Sequence, residues 1–141
     1  ETQSEGEKQQ KIIMNLSAIK AAQRAVTDGD IVVIFPEATR SETGGLRHPI
    51  PELGAYISFS DFVGPVGIDG ADRVLPRNAK HPSRHPVSVS FGSLRPVATL
   101  KESYQDLPEG QRQRAMLDDI MVDIAKLLPP HKRGVYADRI V

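Results

Sequence analysis

The sequence predicts an α/β fold, a mixed sheet flanked by helices, in a single domain spanning 1–141. Three observations carry that prediction. An amphipathic helix runs by a tight turn straight into a short, continuously apolar run, which is half of a β-α-β crossover. Two further stretches read as strands, one mostly apolar and one strictly alternating. A second amphipathic helix then closes the order.

In the first helix, Lys11 to Thr27, Ile12, Leu16, Ile19, Ala22 and Val26 recur at steps of three and four, with Lys11, Lys20 and Arg24 off that stripe. Asp28-Gly29-Asp30 ends it, Gly29 being suited to a left-handed C-terminal position. Ile31 to Phe35 follows, β-branched and aromatic, as a fully buried strand. Glu42 to Leu46 is turn material, and Pro49 to Phe59 forms a short helix with proline in its first turn and Ile50, Leu53 and Ile57 on one side. Phe62 to Ile68 reads as another buried strand, broken at Pro65. Its glycines mark either a bulge or a close ligand approach. Val87 to Phe91 alternates apolar and polar residues and is expected to be half exposed, near a sheet edge. Gly110 to Leu128 is the second long helix, with Leu117, Ile120, Met121, Ile124 and Leu128 inward and Asp118, Asp119, Asp123 and Lys126 outward. Pro129-Pro130 stops it, and His131 to Val141 reads as a basic, turn-rich tail.

Composition narrows the function classes. Lys plus Arg and Asp plus Glu each total 18, so no global field favours nucleic acid. Hydrophobic content of 39% suffices for a core. No apolar run approaches the roughly 20 residues of a spanning helix, and Glu1 to Gln10 is polar and largely charged rather than signal-like. Without cysteine the chain has no disulfide, thiolate catalyst or Cys-ligated metal. From Arg73 to Lys101 there is no acidic residue, while Arg73, Arg77, Lys80, Arg84, Arg95 and Lys101 are all basic. That run is either a solvated face or a surface for anionic lipid, where each cation contributes about 1 kcal/mol. His81 and His85 have a helical metal-site spacing, but Pro82 and Pro86 oppose a helix there, so they read as loop histidines and no metal site is expected.

The candidate site lies just past the first strand. Pro36 breaks the ladder, so Glu37, Thr39, Arg40 and Ser41 fall on the loop beyond the strand's carboxyl end, where open α/β sheets bind ligands. Arg40 offers a planar fork suited to phosphate or carboxylate, and Glu37 can accept from hydroxyls or hold the arginine. The alternative is a surface pair of Glu37 with Arg40 and no ligand.

Phe35-Pro36-Glu37-Ala38-Thr39-Arg40-Ser41 closely resembles the Phe-Pro-Glu-Gly-Thr-Arg-Ser block of the 1-acylglycerol-3-phosphate acyltransferase family, the glycerolipid acyltransferases; Ala38 is the one departure. Further blocks are similar and in the family's order: the helix and glycine turn before Phe35, Val63-Gly64-Pro65-Val66-Gly67-Ile68, Val89-Ser90-Phe91-Gly92, and a closing Ile120-Met121 to Leu127-Leu128-Pro129 helix followed by Arg133-Gly134-Val135-Tyr136. The likeness spans roughly Ile12 to Asp138.

The resemblance implies acyl transfer from acyl-CoA or acyl-carrier protein to a lysophospholipid hydroxyl, with 1-acylglycerol-3-phosphate as the expected acceptor, in phospholipid biosynthesis. It implies no cofactor beyond that co-substrate. Glu37, Thr39, Arg40, Ser41 and Pro65 are the implied substrate-binding residues. The family's catalytic His-x-x-x-x-Asp is absent: none of His48, His81, His85 and His131 has aspartate five positions on. The expectation is therefore a C-terminal part of an acyltransferase domain, N-terminal portion missing, with the catalytic pair upstream of Glu1. Such a chain is expected to be inactive alone and to show an exposed apolar face. A second departure is that relatives often carry lysine before the Gly-Ala of the next segment, where this chain has Leu53. The implied partners are the thioester donor, the lysophospholipid and a membrane surface, not nucleic acid. The implied location is the cytoplasmic face of a membrane, peripheral or anchored through missing N-terminal segments. The rival expectation is a non-catalytic lipid- or membrane-binding relative.

Overall fold

The computed structural model describes residues 5–140, with side chains described there except those of residues 5 and 7–13. Helix α1 runs Glu5–Thr27, longer than its apolar stripe predicts. Its end follows the glycine rule: Gly29 adopts φ 90°, its N–H donates to the Val26 carbonyl, and the Asp30 N–H donates to the Ala25 carbonyl. Together these two bonds make a Schellman closure. Ile19, Ala22 and Val26 are half-buried, whereas Leu16 is exposed and the Ile12 side chain lies outside the described ones.

The centre of the molecule is α5, Glu109–Lys126. Met116, Leu117, Ile120, Met121 and Ala125 recur along one face and are all buried. Its N-terminal half packs on a short 3₁₀ turn, Pro51–Gly54, which leads into α2, Ala55–Ser58. Ile57, Val97 and Leu100 complete this core, with Leu53 and Val63 against it. A second cluster joins Met121, Ala125 and Tyr136, with Leu46 and Ile140 packed on it.

Sheet and helix coexist as predicted, but the pairing differs from a mixed sheet. Phe62 to Ile68 is two strands: β1, Phe62–Val63, and β2, Val66–Asp69, separated at Gly64-Pro65. A short helix, α3, Ala71–Val74, follows β2, and β3 spans Ser88–Phe91. β4, Arg95–Pro96, leads directly into α4, Val97–Ser103. β2 pairs antiparallel with β3 and β1 antiparallel with β4, each as a two-stranded ladder. The return is antiparallel because residues between β2 and β3 form a local excursion rather than a crossover helix.

Ile31 to Phe35 is in neither ladder. Its burial alternates, with Val32 and Ile34 half-buried, but Ile31 is 91% and Phe35 68% exposed. The predicted buried strand is thus an unpaired apolar segment, because no described strand lies alongside to take its backbone groups.

The β2–β3 ladder also reverses an expectation. Gly67 faces inward, where a Cβ would stand 2.9 Å from Leu127 Cβ, so the absence of a side chain lets the end of the helix approach. Its cross-strand partner is Ser90, which is half-buried. The period of two then turns Ile68, Val89 and Phe91 outward, Phe91 being 77% exposed. Alternation was legible in Val87 to Phe91, but the apolar face is the one that meets solvent.

The basic, turn-rich stretch after α5 packs on the core. It forms two 3₁₀ segments, Pro130–Lys132 and Gly134–Arg139, that bury Lys132 and Tyr136. Asp118, Asp119 and Asp123, expected outward, are half-buried and paired: Arg95 reaches Asp119 at 3.2 Å and Asp123 at 2.7 Å.

Candidate functional site

Pro36 opens a tight turn in which the Ala38 N–H donates to the Phe35 carbonyl at 2.9 Å. Ala38 has φ 53° and is the one non-glycine residue with positive φ among the described residues. Glu37 at the third turn position therefore keeps a negative φ, which fits a type I turn led by proline and excludes type II. Ala38 stands where the resembling block has glycine, so that departure falls on the position where a Cβ is least favourable.

Glu37 is half-buried and does not pair with Arg40. Its Oε2 accepts the Arg47 backbone N–H at 2.8 Å, closing the loop on itself. Burial pushes its carboxyl above the ordinary carboxylate range, and the Arg47 N–H and guanidinium oppose that shift. Thr39 is exposed, and the Ser41 hydroxyl lies 3.3 Å from that of Thr43.

Arg40 is exposed. It donates one N–H to the Leu75 carbonyl at 3.1 Å, which anchors the fork to the end of α3. No ion pair takes its remaining donors among the described residues. Arg77 ties the same two segments through Glu42 at 2.8 Å. Neither the pairing of Glu37 with Arg40 nor the holding of one by the other, both allowed by the sequence, occurs. Pro65 is buried at the β1–β2 break, where its carbonyl accepts the Gly92 N–H at 2.9 Å. Neither a hydrogen bond nor an ion pair joins it to the loop among the described residues.

The loop's far end is clamped by the C-terminal segment. The Leu46 N–H donates to the Lys132 carbonyl at 3.0 Å, and the Val135 N–H to the Leu46 carbonyl at 3.1 Å. Between them Gly134 adopts φ 52°, and a Cβ there would sit 2.0 Å from the Leu46 oxygen. Only glycine allows both this conformation and this approach. The Lys132 ammonium, itself buried, donates to Asp72 at 2.5 Å and joins α3 to the same clamp. That hydrogen bond holds the Asp72 carboxyl below its usual range.

Behind the clamp lies a network that motif reading missed. Tyr136 donates its hydroxyl to Asp118 at 2.9 Å, Arg139 pairs with the same carboxylate, and His48 meets the Tyr136 ring edge-on at 6.1 Å between centroids. Burial, then the hydrogen bond to Asp118 and that carboxylate's charge, raises the Tyr136 phenol well above its ordinary range. The one sequence signal for it is the Arg133-Gly134-Val135-Tyr136 block. A cleft of about 260 Å³ opens beside this network, lined by His48, Pro49, Pro51, Arg114, Leu117 and Asp118. A second, of about 390 Å³, runs along the end of α1 between Lys20 and Asp28. Neither includes Glu37, Thr39, Arg40, Ser41 or Pro65.

Leu53, where the family that the sequence resembles often carries lysine, packs against the core. The position therefore offers no cation to the loop, whose free guanidinium donors come from Arg40 and the exposed Arg47. Among the described residues no group of three or more His, Cys, Asp or Glu is placed to hold a metal. Comparison of the chain with known protein families, with characterised proteins and with solved structures finds no match.

Proposed function

We propose that this chain supplies the acceptor-binding part of a glycerolipid acyltransferase, with the Pro36–Arg47 loop receiving the phosphate of a lysophospholipid such as 1-acylglycerol-3-phosphate. The observation that carries the reading is Arg40: fixed by one N–H on the Leu75 carbonyl, with its other donors directed to solvent, on a loop clamped at both ends. A guanidinium so held meets a phosphate bidentately with little further ordering. The half-buried Glu37 carboxylate closes the loop through Arg47 and is a positioning residue rather than a phosphate contact.

In the reaction, a base removes the proton of the acceptor hydroxyl as its oxygen attacks the thioester carbonyl. The tetrahedral intermediate expels the thiolate, which takes up a proton, leaving the new ester. The donor is acyl-CoA or acyl-carrier protein. The resemblance assigns the base and its orienting carboxylate to a His-x-x-x-x-Asp element, a spacing absent from this chain. Within it, Arg40 holds the phosphate end, Thr39 and Ser41 offer hydroxyls to the glycerol, and no protein cofactor is required.

Binding separates this from a surface arginine without function. A short-chain 1-acylglycerol-3-phosphate and its dephosphorylated counterpart are titrated calorimetrically into the chain and into Arg40→Lys. Because Arg40 is exposed, its fork contributes about 1–2 kcal/mol, so lysine weakens the phosphorylated ligand about 5- to 30-fold. The unphosphorylated ligand is unaffected. Equal affinity of the two proteins for the phosphorylated ligand overturns the assignment. The second reading, a non-catalytic lipid-binding relative, draws on the absence of the His-x-x-x-x-Asp spacing from these residues. It predicts the same binding with no acyl transfer in any longer form of the protein.

A further inference from the structure

The β2–β3 ladder shows solvent a row of side chains that an isolated protein surface has no use for. Ile68 and Val89 are cross-strand partners, 43% and 50% exposed, and Phe91 and Val87 extend the row. The connection between these strands carries Asp72, paired with Lys132, near its start and is basic and free of acidic residues from Arg73 onward. Arg73, Lys80 and Arg84 are exposed on it, and neither Lys80 nor Arg84 has an ion-pair partner among the described residues. One supersecondary unit thus joins an apolar face to unneutralised cations.

We infer that this hairpin docks on an anionic lipid bilayer, with the Ile68, Val89 and Phe91 side chains entering the acyl boundary and the loop cations meeting lipid phosphates. Both halves of the surface select that occupant. Nucleic acid would neutralise the loop but gives aliphatic side chains no apolar medium. A second copy would cover the apolar row but bring the same uncompensated cations. A bilayer of anionic lipid satisfies both at once, its headgroups lying next to its hydrocarbon. The inference rests on surface chemistry alone and does not require the acyl-transfer reading.

The test is cosedimentation of the chain with extruded vesicles of phosphatidylcholine, or of phosphatidylcholine and phosphatidylglycerol at roughly 3:1, which supplies the anionic charge. Binding is expected on the anionic vesicles only, and it falls as salt rises from about 0.1 M to about 0.5 M. The Lys80→Glu/Arg84→Glu variant lowers the partition coefficient at least about tenfold. Phe91→Ser lowers it about 10- to 100-fold. Thermal melts check that each variant folds, and Ile68→Thr replaces Phe91→Ser if the latter melts early. A folded charge-reversed variant that binds as well as the parent overturns the inference. So does concentration-dependent self-association, abolished by Phe91→Ser, in a chain that leaves vesicles unbound. Calorimetric binding at the Arg40 loop is read separately, so either result stands without the other.

Discussion

Replacing Ala38 by glycine isolates the backbone term in the candidate loop. Ala38 is exposed, so its methyl group contributes little packing, and a substitution there reports chiefly on φ. At φ 53° the Cβ crowds the following carbonyl, a penalty of about 1–2 kcal/mol for an L-residue. Glycine relieves it but brings back about 0.5–1 kcal/mol of unfolded-state entropy. The net expectation is a stabilisation of about 0.5–1 kcal/mol, which for a chain of this size raises Tm by about 2–5 °C. Urea unfolding followed by circular dichroism measures it as a higher midpoint at unchanged slope. Ala38→Val supplies the opposite arm, because a β-branched residue is strongly disfavoured there; it should lose about 1 kcal/mol or more. The Phe35–Ala38 hydrogen bond and the Glu37–Arg47 closure depend on that turn, so valine should also loosen amide protection at Arg47. If glycine destabilises, or valine is as well tolerated as glycine, Ala38 is not left-handed and the turn geometry derived from it is wrong.

Gly134→Ala is expected to be severe, about 2–4 kcal/mol in urea unfolding, since a methyl 2.0 Å from the Leu46 oxygen forces the clamp open; hydrogen exchange should quicken at Leu46 and Val135 first. Asp72→Asn leaves the Lys132 ammonium, 7% exposed, without its counter-charge, and should lower stability by about 1–3 kcal/mol once the partial exposure of Asp72 is allowed for. The sign with pH follows: a carboxyl depressed in the folded state adds stability that is complete above its unfolded pKa of about 3.9 and disappears as pH falls through the lower folded value. Acid titration of the wild type should therefore lose this contribution below about pH 4, and Asp72→Asn should flatten that part of the curve. Glu37→Gln and Arg40→Lys should have additive effects on ligand affinity within about 0.5 kcal/mol, because Glu37 is bonded to Arg47 and Arg40 to Leu75; a calorimetric coupling above about 1 kcal/mol would mean they act as a unit.

What the sequence determined by itself is what depends on near neighbours along the chain. The glycine stop of α1, the proline break at Pro65 and the apolar stripe of α5 are consequences of φ restriction and of a 3.6-residue period, and all three are present. The candidate loop was legible as a loop for the same reason: Pro36 ends an apolar run, and polar residues follow. Tertiary structure decided whatever needs a distant partner. Ile31 to Phe35 has strand composition, but a strand is defined by another strand's backbone, and none lies beside it among the described residues. Alternation in Val87 to Phe91 predicts two faces but not which one turns inward. The bare Gly67 on the neighbouring strand, against Leu127 and Leu128, made that choice. The partner of Glu37 was likewise not Arg40, three residues on, but an amide ten residues away, set by where the Gly134 segment pins the returning loop.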